Sequence, residues 1–159
     1  MPGVGKSTAG VILAKILGYR FIDTDLLIQE SENRLLHEII SAEGVDGFIK
    51  IENRVNCRIN ARRAVIATGG SIVYSHEAMK HLSDIGTVVY LKLDYQKLKY
   101  RLRNIKNRGV VIRKGQRMLE LYKERTPLYE RYADIIIDEN GCGIEKTVSL
   151  IIESLNSVL

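Results

Sequence analysis

The residues best suited to chemistry stand at the start of the chain, in the segment MPGVGKSTAG. Gly5, Lys6 and Ser7 supply the second half of the pattern G-x-x-x-x-G-K-[ST], whose amides, lysine and hydroxyl hold nucleotide phosphates and Mg²⁺. The first glycine of the pattern would fall one position before Met1. The partial motif predicts that a loop from Gly3 to Lys6 cradles phosphate; a glycine-rich helix cap is the alternative.

A second group of polar residues lies in the segment FIDTD. Asp23 and Asp25 stand at the carboxyl end of a predicted strand, which is where open α/β sheets bind their ligands. Alternate side chains of an extended backbone share a face, so both carboxylates would point the same way. One would order Mg²⁺ and its waters while the other would face an acceptor hydroxyl. The alternative is that the two acids cap a helix together with Thr24.

Glycines and arginines give weaker individual signals. Gly69 and Gly70 follow the apolar run AVIAT, where they allow either close approach of the backbone to a ligand or only a tight turn. Arg101, Arg108 and Arg125 lie around a predicted loop and on the helix after it. Guanidinium groups suit planar or anionic ligands through stacking and paired hydrogen bonds. Each arginine alone is equally compatible with an ordinary surface charge.

Histidine and cysteine give no sign of metal or nucleophile chemistry. His37, His76 and His81 occur in helical segments without metal-ligand spacing, so we expect surface or structural roles, and no Ser/His/Asp arrangement is visible. Cys57 and Cys142 make no disulfide framework, which indicates a reduced, cytoplasmic protein. No apolar run approaches the roughly 20 residues that span a bilayer, so we expect no membrane partner.

The positive charge is concentrated in one part of the chain. The net charge is +5, and 12 of the 24 Lys and Arg residues lie between Lys92 and Arg125, against three acidic residues. Such a segment suits either nucleic acid or a phosphorylated small ligand. Asp23 and Asp25 would repel a nucleic-acid backbone, and the tyrosines of the basic segment lie on predicted helices rather than on a stacking surface. We therefore expect a phosphate-handling segment and no nucleic-acid partner.

Alternating strands and helices must position these residues. Four β-branched or apolar runs predict strands: YRFID, AVIATGG, GTVVYLKL and DIIID. Strands that alternate with helices form parallel sheets covered on both faces, so we expect one α/β domain over residues 1–159. The segment NRGVVIRKG lacks periodicity and predicts a mobile loop.

Apolar spacing predicts which helix faces are buried. The first helix would bury one stripe, made of Val11, Leu13, Ala14 and Leu17. It would end at Gly18. The helix in VDGFIKIENRVNCRINARR would place on one face Val45, Phe48, Glu52, Val55 and Ile59. The helical segment QRMLELYKERTPLYERYA would break near Pro127.

Taken in order, these segments resemble the shikimate kinase family of small P-loop phosphotransferases. The resemblance runs from Pro2 to about Asp138 and rests on GVGKSTAG, FIDTDLLIQE, VIATGGS, GTVVYLKL and RTPLYERYAD, with Arg101 and Arg108 seven positions apart. It implies a three-layer fold with a five-stranded parallel sheet in the order 2-3-1-4-5, and a mobile lid at about 104–117. It also implies Mg²⁺ as cofactor and ATP-dependent phosphorylation of the 3-hydroxyl of shikimate.

The resemblance also implies roles for individual residues. ATP would be bound by Gly3, Val4, Gly5, Lys6, Ser7, Thr8 and Arg101. Mg²⁺ and its waters would be held near Ser7 and Asp23. The substrate would be bound by Asp25, Gly69, Gly70 and Arg125. Catalysis would depend on Lys6 at the phosphates, Asp25 at the acceptor hydroxyl and Arg108 at the γ-phosphate, and Arg125 would pair with the substrate carboxylate.

Three positions depart from the family pattern. Ile49 stands where relatives carry an arginine for the substrate carboxylate, although Glu52 keeps its place in the motif. Losing one charged hydrogen-bond donor costs about 1.5–3 kcal/mol. Ser71 replaces the usual third glycine, and the lid reads RGVVIR rather than Arg-Pro-Leu-Leu. The alternatives are therefore a kinase of another small metabolite or nucleotide, or a nucleotide-binding protein without activity.

The start of the motif raises a question about the sheet. In the implied topology the central, first strand would precede Met1, between the strands AVIATGG and GTVVYLKL. Without it, both neighbours would face a slot of unpaired backbone groups, each costing about 1–3 kcal/mol if buried. We therefore expect the first strand to be missing from this chain. We also expect a monomer, unless a partner chain fills the slot.

Overall fold

The computed structural model describes residues 1–103 and 110–158, which form parallel strands and helices in alternation. The strands are β1 (Arg20–Asp23), β2 (Ala64–Ala67), β3 (Val89–Lys92) and β4 (Ile135–Asp138). The helices are α1 (Lys6–Leu17), α2 (Thr24–Glu32), α3 (Leu36–Asn56), α4 (His76–Ile85), α5 (Tyr95–Arg103), α6 (Met118–Tyr132) and α7 (Ile144–Val158). The predicted α/β class and all four predicted strands are confirmed. Within the described ranges every helix is too short or too polar to cross a bilayer.

The strands form two separate parallel pairs instead of one sheet. β1 pairs with β2 in the register Arg20 to Ala64, and β3 pairs with β4 in the register Val89 to Ile135. In the part of the chain that the structure describes, no backbone hydrogen bond joins β2 to β3. The expected order 2-3-1-4-5 counts a first strand before Met1. In that order β1 and β2 correspond to strands 2 and 3, and β3 and β4 correspond to strands 4 and 5, so the two observed pairs are its outer pairs. The single five-stranded sheet is not formed by these residues, and the absence of a first strand from the protein stays a prediction.

A cavity of about 560 Å³ separates the two pairs. Its wall is mainly apolar and comes from α1, β2, β3 and α7, including Leu13, Val65, Leu91 and Ile151.

Both pairs of strands point the same way, toward the loop at residues 2–5. The hydroxyl of Ser7, just after this loop, donates to Oδ2 of Asp23, the last residue of β1, at 3.1 Å. On the other side, Nη1 of Arg101 donates to the carbonyl of Val4 at 2.8 Å and lies 3.3 Å from Glu139, which follows β4. The carboxyl ends of β1 and β4 therefore meet at the same loop.

Helix α1 buries Leu13 and Ala14 of the predicted stripe, but the prediction for Val11 was wrong. Val11 is 48% exposed, whereas Ala9, Gly10, Leu13 and Ala14 are buried. A methyl group at Gly10 would lie 2.8 Å from the ring of Phe21 on β1. Strand β1 and helix α1 approach so closely at Gly10 that a prediction based on hydrophobicity alone assigns the wrong residue to the buried face. The predicted end at Gly18 is confirmed, because this residue adopts the left-handed conformation at φ 64°.

The predicted break near Pro127 was wrong. Helix α6 continues through Pro127 without a break. Its inner face carries Leu121, Arg125 and Tyr129, all buried, and this packing offsets the one backbone hydrogen bond that proline removes. Helix α2 agrees with the alternative that the acids of FIDTD cap a helix together with Thr24.

Candidate active site

The loop at the start of the chain has the conformation of an anion-binding turn. Gly3 and Gly5 have φ of 75° and 107°, in the left-handed region that favours glycine, and α1 begins at Lys6. Successive amides in such a turn can point into one concave surface. Nζ of Lys6 donates to the carbonyl of Met1 at 2.8 Å, so the lysine folds back over the loop.

The predicted phosphate-binding residues do not all face the same space. Gly3, Gly5, Lys6 and Ser7 line a cleft of about 470 Å³. The side chain of Val4 is only 1% exposed and belongs to the core, while Thr8 is exposed on α1. The side chains of these two residues lie outside the cleft wall, which leaves their backbone groups as their means of contacting a ligand.

Asp23 and Asp25 both line the cleft, but not as alternate residues of a strand. Asp23 ends β1 and caps α2, because its Oδ1 accepts the amide of Asp25 at 3.0 Å. Asp25 is therefore in the first turn of a helix, which corrects the expected extended geometry. The capping alternative is confirmed for Asp23. The cap also turns Asp23 so that its second oxygen meets the hydroxyl of Ser7.

The turn after β2 forms the floor of the cleft. A Cβ atom at Gly69 would lie 2.4 Å from Oε1 of Glu52 and 3.0 Å from Oδ1 of Asp25. At Gly70 it would lie 3.2 Å from Pro2 and 3.3 Å from a nitrogen of Arg125. Only a residue without a side chain fits at Gly69 while both acids keep their positions. The paired glycines thus allow close packing of charged groups from three elements.

Arg125 is the positive group at the far side of the cleft. Its side chain is 1% exposed, and its guanidinium donates to the carbonyl of Val111 and to the hydroxyl of Tyr74, the latter at 3.2 Å. The guanidinium also lies 5.1 Å from the centre of the Tyr74 ring. Tyr74 in turn donates to Glu124 at 2.7 Å. These contacts hold a buried cation in one orientation against the cleft.

The other two predicted arginines are not part of the described cleft wall. Arg101 reaches the loop from outside and ties the carbonyl of Val4 to the buried carboxylate of Glu139. Arg108 lies outside the described residues, as does the first part of the predicted lid, at 104–109. Of the rest of the lid, Val110 and Val111 line the cleft.

Glu52 also lines the cleft, although no site role was predicted for it. It is fully buried, and among the described residues no hydrogen bond of ordinary geometry reaches either carboxylate oxygen. Burial raises its pKa to about 7; the Ser71 hydroxyl opposes this shift and the charge of Asp25 adds to it. A sequence signal existed, since Glu52 interrupts the otherwise apolar face of α3. An acid at such a position is a candidate for function.

The arginine that the resemblance led us to expect at position 49 has no counterpart on α3 in the cleft. Ile49 is half-buried and does not line the cleft, and Lys50, Arg54 and Arg58 are exposed. Arg54 forms an ion pair with Glu32 instead. The other departure, Ser71, is 2% exposed and lies in the cleft wall beside Glu52.

Two of the three histidines contact other groups of the fold. His81 contacts the carbonyl of Ile59 at 2.7 Å, and His76 contacts the hydroxyl of Tyr132 at 3.2 Å. His37 is exposed and lies at the edge of the cleft, which the sequence did not indicate. Within residues 1–103 and 110–158, no three acidic, histidine or cysteine side chains gather in a metal-binding cluster.

Comparison with known proteins places the whole chain in one group. Residues 2–156 match the family model for shikimate kinase. Shikimate kinase 2 of Yersinia enterocolitica is 35% identical over 145 residues, covering 86% of this chain and 81% of the relative. The shikimate kinase of Histophilus somni is 34% identical over 160 residues, covering 98% of this chain and 91% of the relative.

Solved structures show the same likeness in three dimensions. The shikimate kinase of Acinetobacter baumannii, solved in complex with shikimate, matches with a TM-score of 0.88 and 30% identity, over 98% of this chain and 88% of that chain. The shikimate kinase of Bacteroides thetaiotaomicron matches with a TM-score of 0.79 and 28% identity, over 98% of this chain and 94% of that one.

Proposed function

Because the chain belongs to the shikimate kinase family, we propose that it transfers the γ-phosphate of ATP to a hydroxyl group of shikimate. One observation carries the proposal: a glycine-rich loop and an acidic pair meet at one side of a cleft, while a buried arginine stands at the other. A triphosphate needs amides and a lysine, an acceptor hydroxyl needs a carboxylate, and a substrate carboxylate needs a guanidinium. The shikimate complex of the Acinetobacter baumannii relative supports this choice of acceptor.

The loop and the residues after it would bind the phosphates of ATP. The amides from Gly3 to Lys6 and the positive end of α1 favour anions at this point. Lys6 would exchange its contact with the Met1 carbonyl for the β- and γ-phosphate oxygens. Its ammonium would then stabilise the negative charge that develops during transfer. This electrostatic stabilisation is strongest in a site from which water is excluded.

Ser7 and Asp23 are the residues that fit Mg²⁺. A hydroxyl and a carboxylate joined at 3.1 Å supply hard oxygen donors next to the phosphate loop, and Mg²⁺ is usually held by one or two such groups together with phosphate oxygens and waters. A bound Mg²⁺ would supply positive charge that offsets the negative charge of the phosphates. The metal assignment rests on this donor chemistry.

Asp25, Gly69, Gly70 and Arg125 would form the acceptor half of the site. Asp25 would accept a hydrogen bond from the reacting hydroxyl and then its proton. Arg125 would pair with the carboxylate of the substrate, and the glycines would let the ring lie close to the backbone. Most of the catalytic effect would come from positioning and from charge neutralisation rather than from covalent chemistry.

Several finer assignments belong to the same proposal. Arg108 would contact the γ-phosphate from a lid at about 104–117, and Arg101 would steady the loop near the adenine. Residues 1–159 would act as a single cytoplasmic domain. The protein would be a monomer unless a partner chain fills the slot between β2 and β3. These statements stay predictions.

An acceptor screen distinguishes the proposed reaction from its main alternative. Ile49 leaves α3 without a cation at the cleft, so Arg125 would be the principal partner of a substrate carboxylate among the described residues. Release of ADP should be measured with ATP and Mg²⁺ against shikimate, a matched polyol without a carboxylate, and nucleoside monophosphates. We expect turnover with shikimate. Turnover only with another acceptor would identify a different small-molecule kinase, and nucleotide binding without turnover would indicate a binding protein.

A further inference from the structure

Arg125 is a buried cation whose three nitrogens meet different surroundings. Its Nε donates to the hydroxyl of Tyr74 at 3.2 Å, and its Nη2 donates to the carbonyl of Val111. The third nitrogen, Nη1, lies beside the cleft floor, where an added Cβ at Gly70 would stand 3.3 Å from it. Among the described residues Arg125 forms no ion pair and Nη1 donates no hydrogen bond. A buried guanidinium held only by neutral groups suits an anionic ligand on its remaining side.

Tyr74 has the geometry to set the orientation of this guanidinium. It ends the short 3₁₀ helix Ile72–Tyr74, which directly follows Ser71 and the paired glycines. Its hydroxyl accepts from Nε of Arg125, and its ring centre lies 5.1 Å from the guanidinium carbon, so both an edge and a face of the cation are in contact with it. Tyr74 is not part of the described cleft wall. It can therefore act on a substrate only through Arg125.

Glu124 fixes the direction of the hydrogen bond between Tyr74 and Arg125. A phenol carries one proton, and Tyr74 donates it to Oε1 of Glu124 at 2.7 Å, so the phenol oxygen can only accept from Nε. Burial raises the pKa of Tyr74 above its ordinary value, so the hydroxyl keeps this proton at neutral pH. The second oxygen of Glu124 accepts from Nε2 of Gln116 at 2.6 Å. The hydrogen bonds thus run in one direction, from Arg125 through Tyr74 to Glu124.

The orientation of Arg125 matters because α3 offers no second cation to the cleft. Ile49 stands where the resemblance led us to expect an arginine, and the basic residues Lys50, Arg54 and Arg58 are exposed outside the cleft wall. A single guanidinium must then supply both the charge and the direction of the contact. It pairs well with a carboxylate only when its N–H groups point along the carboxylate oxygens.

We propose that Tyr74 and Glu124 are positioning residues that aim the guanidinium of Arg125 at the carboxylate of the acceptor, and that they thereby determine the preference of the enzyme for an anionic acceptor. The inference rests on the proposed function. Neither residue would touch the substrate: Glu124 would hold the hydroxyl of Tyr74, and Tyr74 would hold Nε and the plane of the guanidinium. Nη1 would be left to pair with a carboxylate oxygen. The competing explanation is that Tyr74 and Glu124 only fasten the 3₁₀ helix to α6.

The first test observes Arg125 without any substrate. Tyr74→Phe, which removes only the hydroxyl, and Glu124→Ala are compared with Tyr100→Phe and Glu153→Ala at exposed positions. ¹⁵N NMR follows the exchange of the Nε–H proton of Arg125 with water, and the signal is assigned by its loss in Arg125→Lys. Loss of the hydrogen bond should speed this exchange at least about tenfold in Tyr74→Phe and Glu124→Ala but not in the controls. Unchanged exchange in Tyr74→Phe would overturn the proposal.

The second test asks whether the effect depends on the substrate carboxylate. Steady-state kinetics are measured with shikimate and with its uncharged methyl ester. Tyr74→Phe should raise KM for shikimate at least about fivefold and change KM for ATP less than about twofold, and it should leave kcat/KM for the ester unchanged, because the ester has no charge to pair with Arg125. An equal loss with both acceptors, or an equal rise in KM for ATP, would show a structural effect alone and would overturn the proposal.

The two tests distinguish this inference from the proposed function. If the wild type does not phosphorylate shikimate while exchange at Arg125 still depends on Tyr74, the proposed function is wrong and the positioning of Arg125 is retained for another anionic acceptor. If the wild type phosphorylates shikimate while Tyr74→Phe changes neither exchange nor KM, the proposed function stands and the positioning role is wrong.

Discussion

Replacing Gly69 by alanine tests whether the close packing at the floor of the cleft is required for catalysis. The added Cβ would lie 2.4 Å from Oε1 of Glu52, about 1 Å short of the 3.4 Å at which ordinary contact begins, and 3.0 Å from Oδ1 of Asp25. Glu52 is fully buried but lines the cleft, so its carboxylate end must shift and the remaining strain falls on the turn and on Asp25. Overpacking of this kind costs about 1–3 kcal/mol of stability.

The kinetic effect should exceed the effect on stability. A displacement of about 1 Å at a reacting group can lower the rate roughly 100-fold, which corresponds to about 2.7 kcal/mol in the barrier. Turnover should be measured by ADP release at saturating ATP and shikimate, and stability by urea unfolding. Gly86→Ala is the matched control, because nothing lies within 4 Å of the added atom and the backbone there is extended. Unchanged turnover in Gly69→Ala would show that the close packing at Gly69 is not required for catalysis.

Three further predictions concern charged groups of the site. Lys6→Ala and Asp25→Asn should each lower turnover by at least about 100-fold, because Lys6 is aimed at the developing charge and Asp25 at the acceptor hydroxyl. The control variants Lys15→Ala and Asp84→Asn, on the exposed surface, should leave turnover unchanged. Near-normal rates in Lys6→Ala and Asp25→Asn would contradict the assignment. Arg125→Lys should raise KM for shikimate about tenfold with little change in KM for ATP, since a single ammonium cannot replace two directed N–H donors, and an equal rise in both constants would indicate a structural effect alone. Burial raises the pKa of Glu52 from 4.5 to about 7, so ionising Glu52 opposes folding, and the free energy of unfolding should fall by about 3 kcal/mol between pH 4.5 and pH 7. Urea unfolding across this range should show this fall in the wild type but not in Glu52→Gln. The same pH dependence in both proteins would contradict the prediction.

The strands were predictable because their local signals agree with their tertiary environment. β2 and β3 are short runs of β-branched and apolar residues, the pattern of strands covered on both faces. How the strands associate was not predictable from these runs, since pairing depends on which edges can meet. The cavity between the two observed pairs lies where the family resemblance, rather than either run by itself, predicted a slot.

The candidate site was predictable in its phosphate half and only partly in its acceptor half. Glycines at left-handed backbone positions and a following lysine mark a phosphate loop locally, and Gly3 and Gly5 have those conformations. The acceptor half is assembled from α2, α3, the turn after β2 and α6, which are far apart in the sequence. Glu52 could be seen as an acid on an apolar face, but its contact with Gly69 could not.

Helix boundaries failed where a tertiary contact competes with a local preference. Asp23 ends a strand and caps a helix at the same time, so the segment FIDTD carries both signals. Pro127 disfavours a helix locally, yet the buried face around Arg125 and Tyr129 holds α6 together. Val11 is apolar but exposed, because the close approach of α1 to β1 admits only Gly10 at the contact.

The most direct test of the central claim is phosphoryl transfer from ATP to shikimate, followed by ³¹P NMR in the presence of Mg²⁺. The signal of the γ-phosphate should disappear while a phosphomonoester signal grows in equal amount, and omission of shikimate, or Lys6→Ala, should prevent the change. Loss of the γ-phosphate signal with only inorganic phosphate appearing, or no dependence on shikimate, would contradict the account.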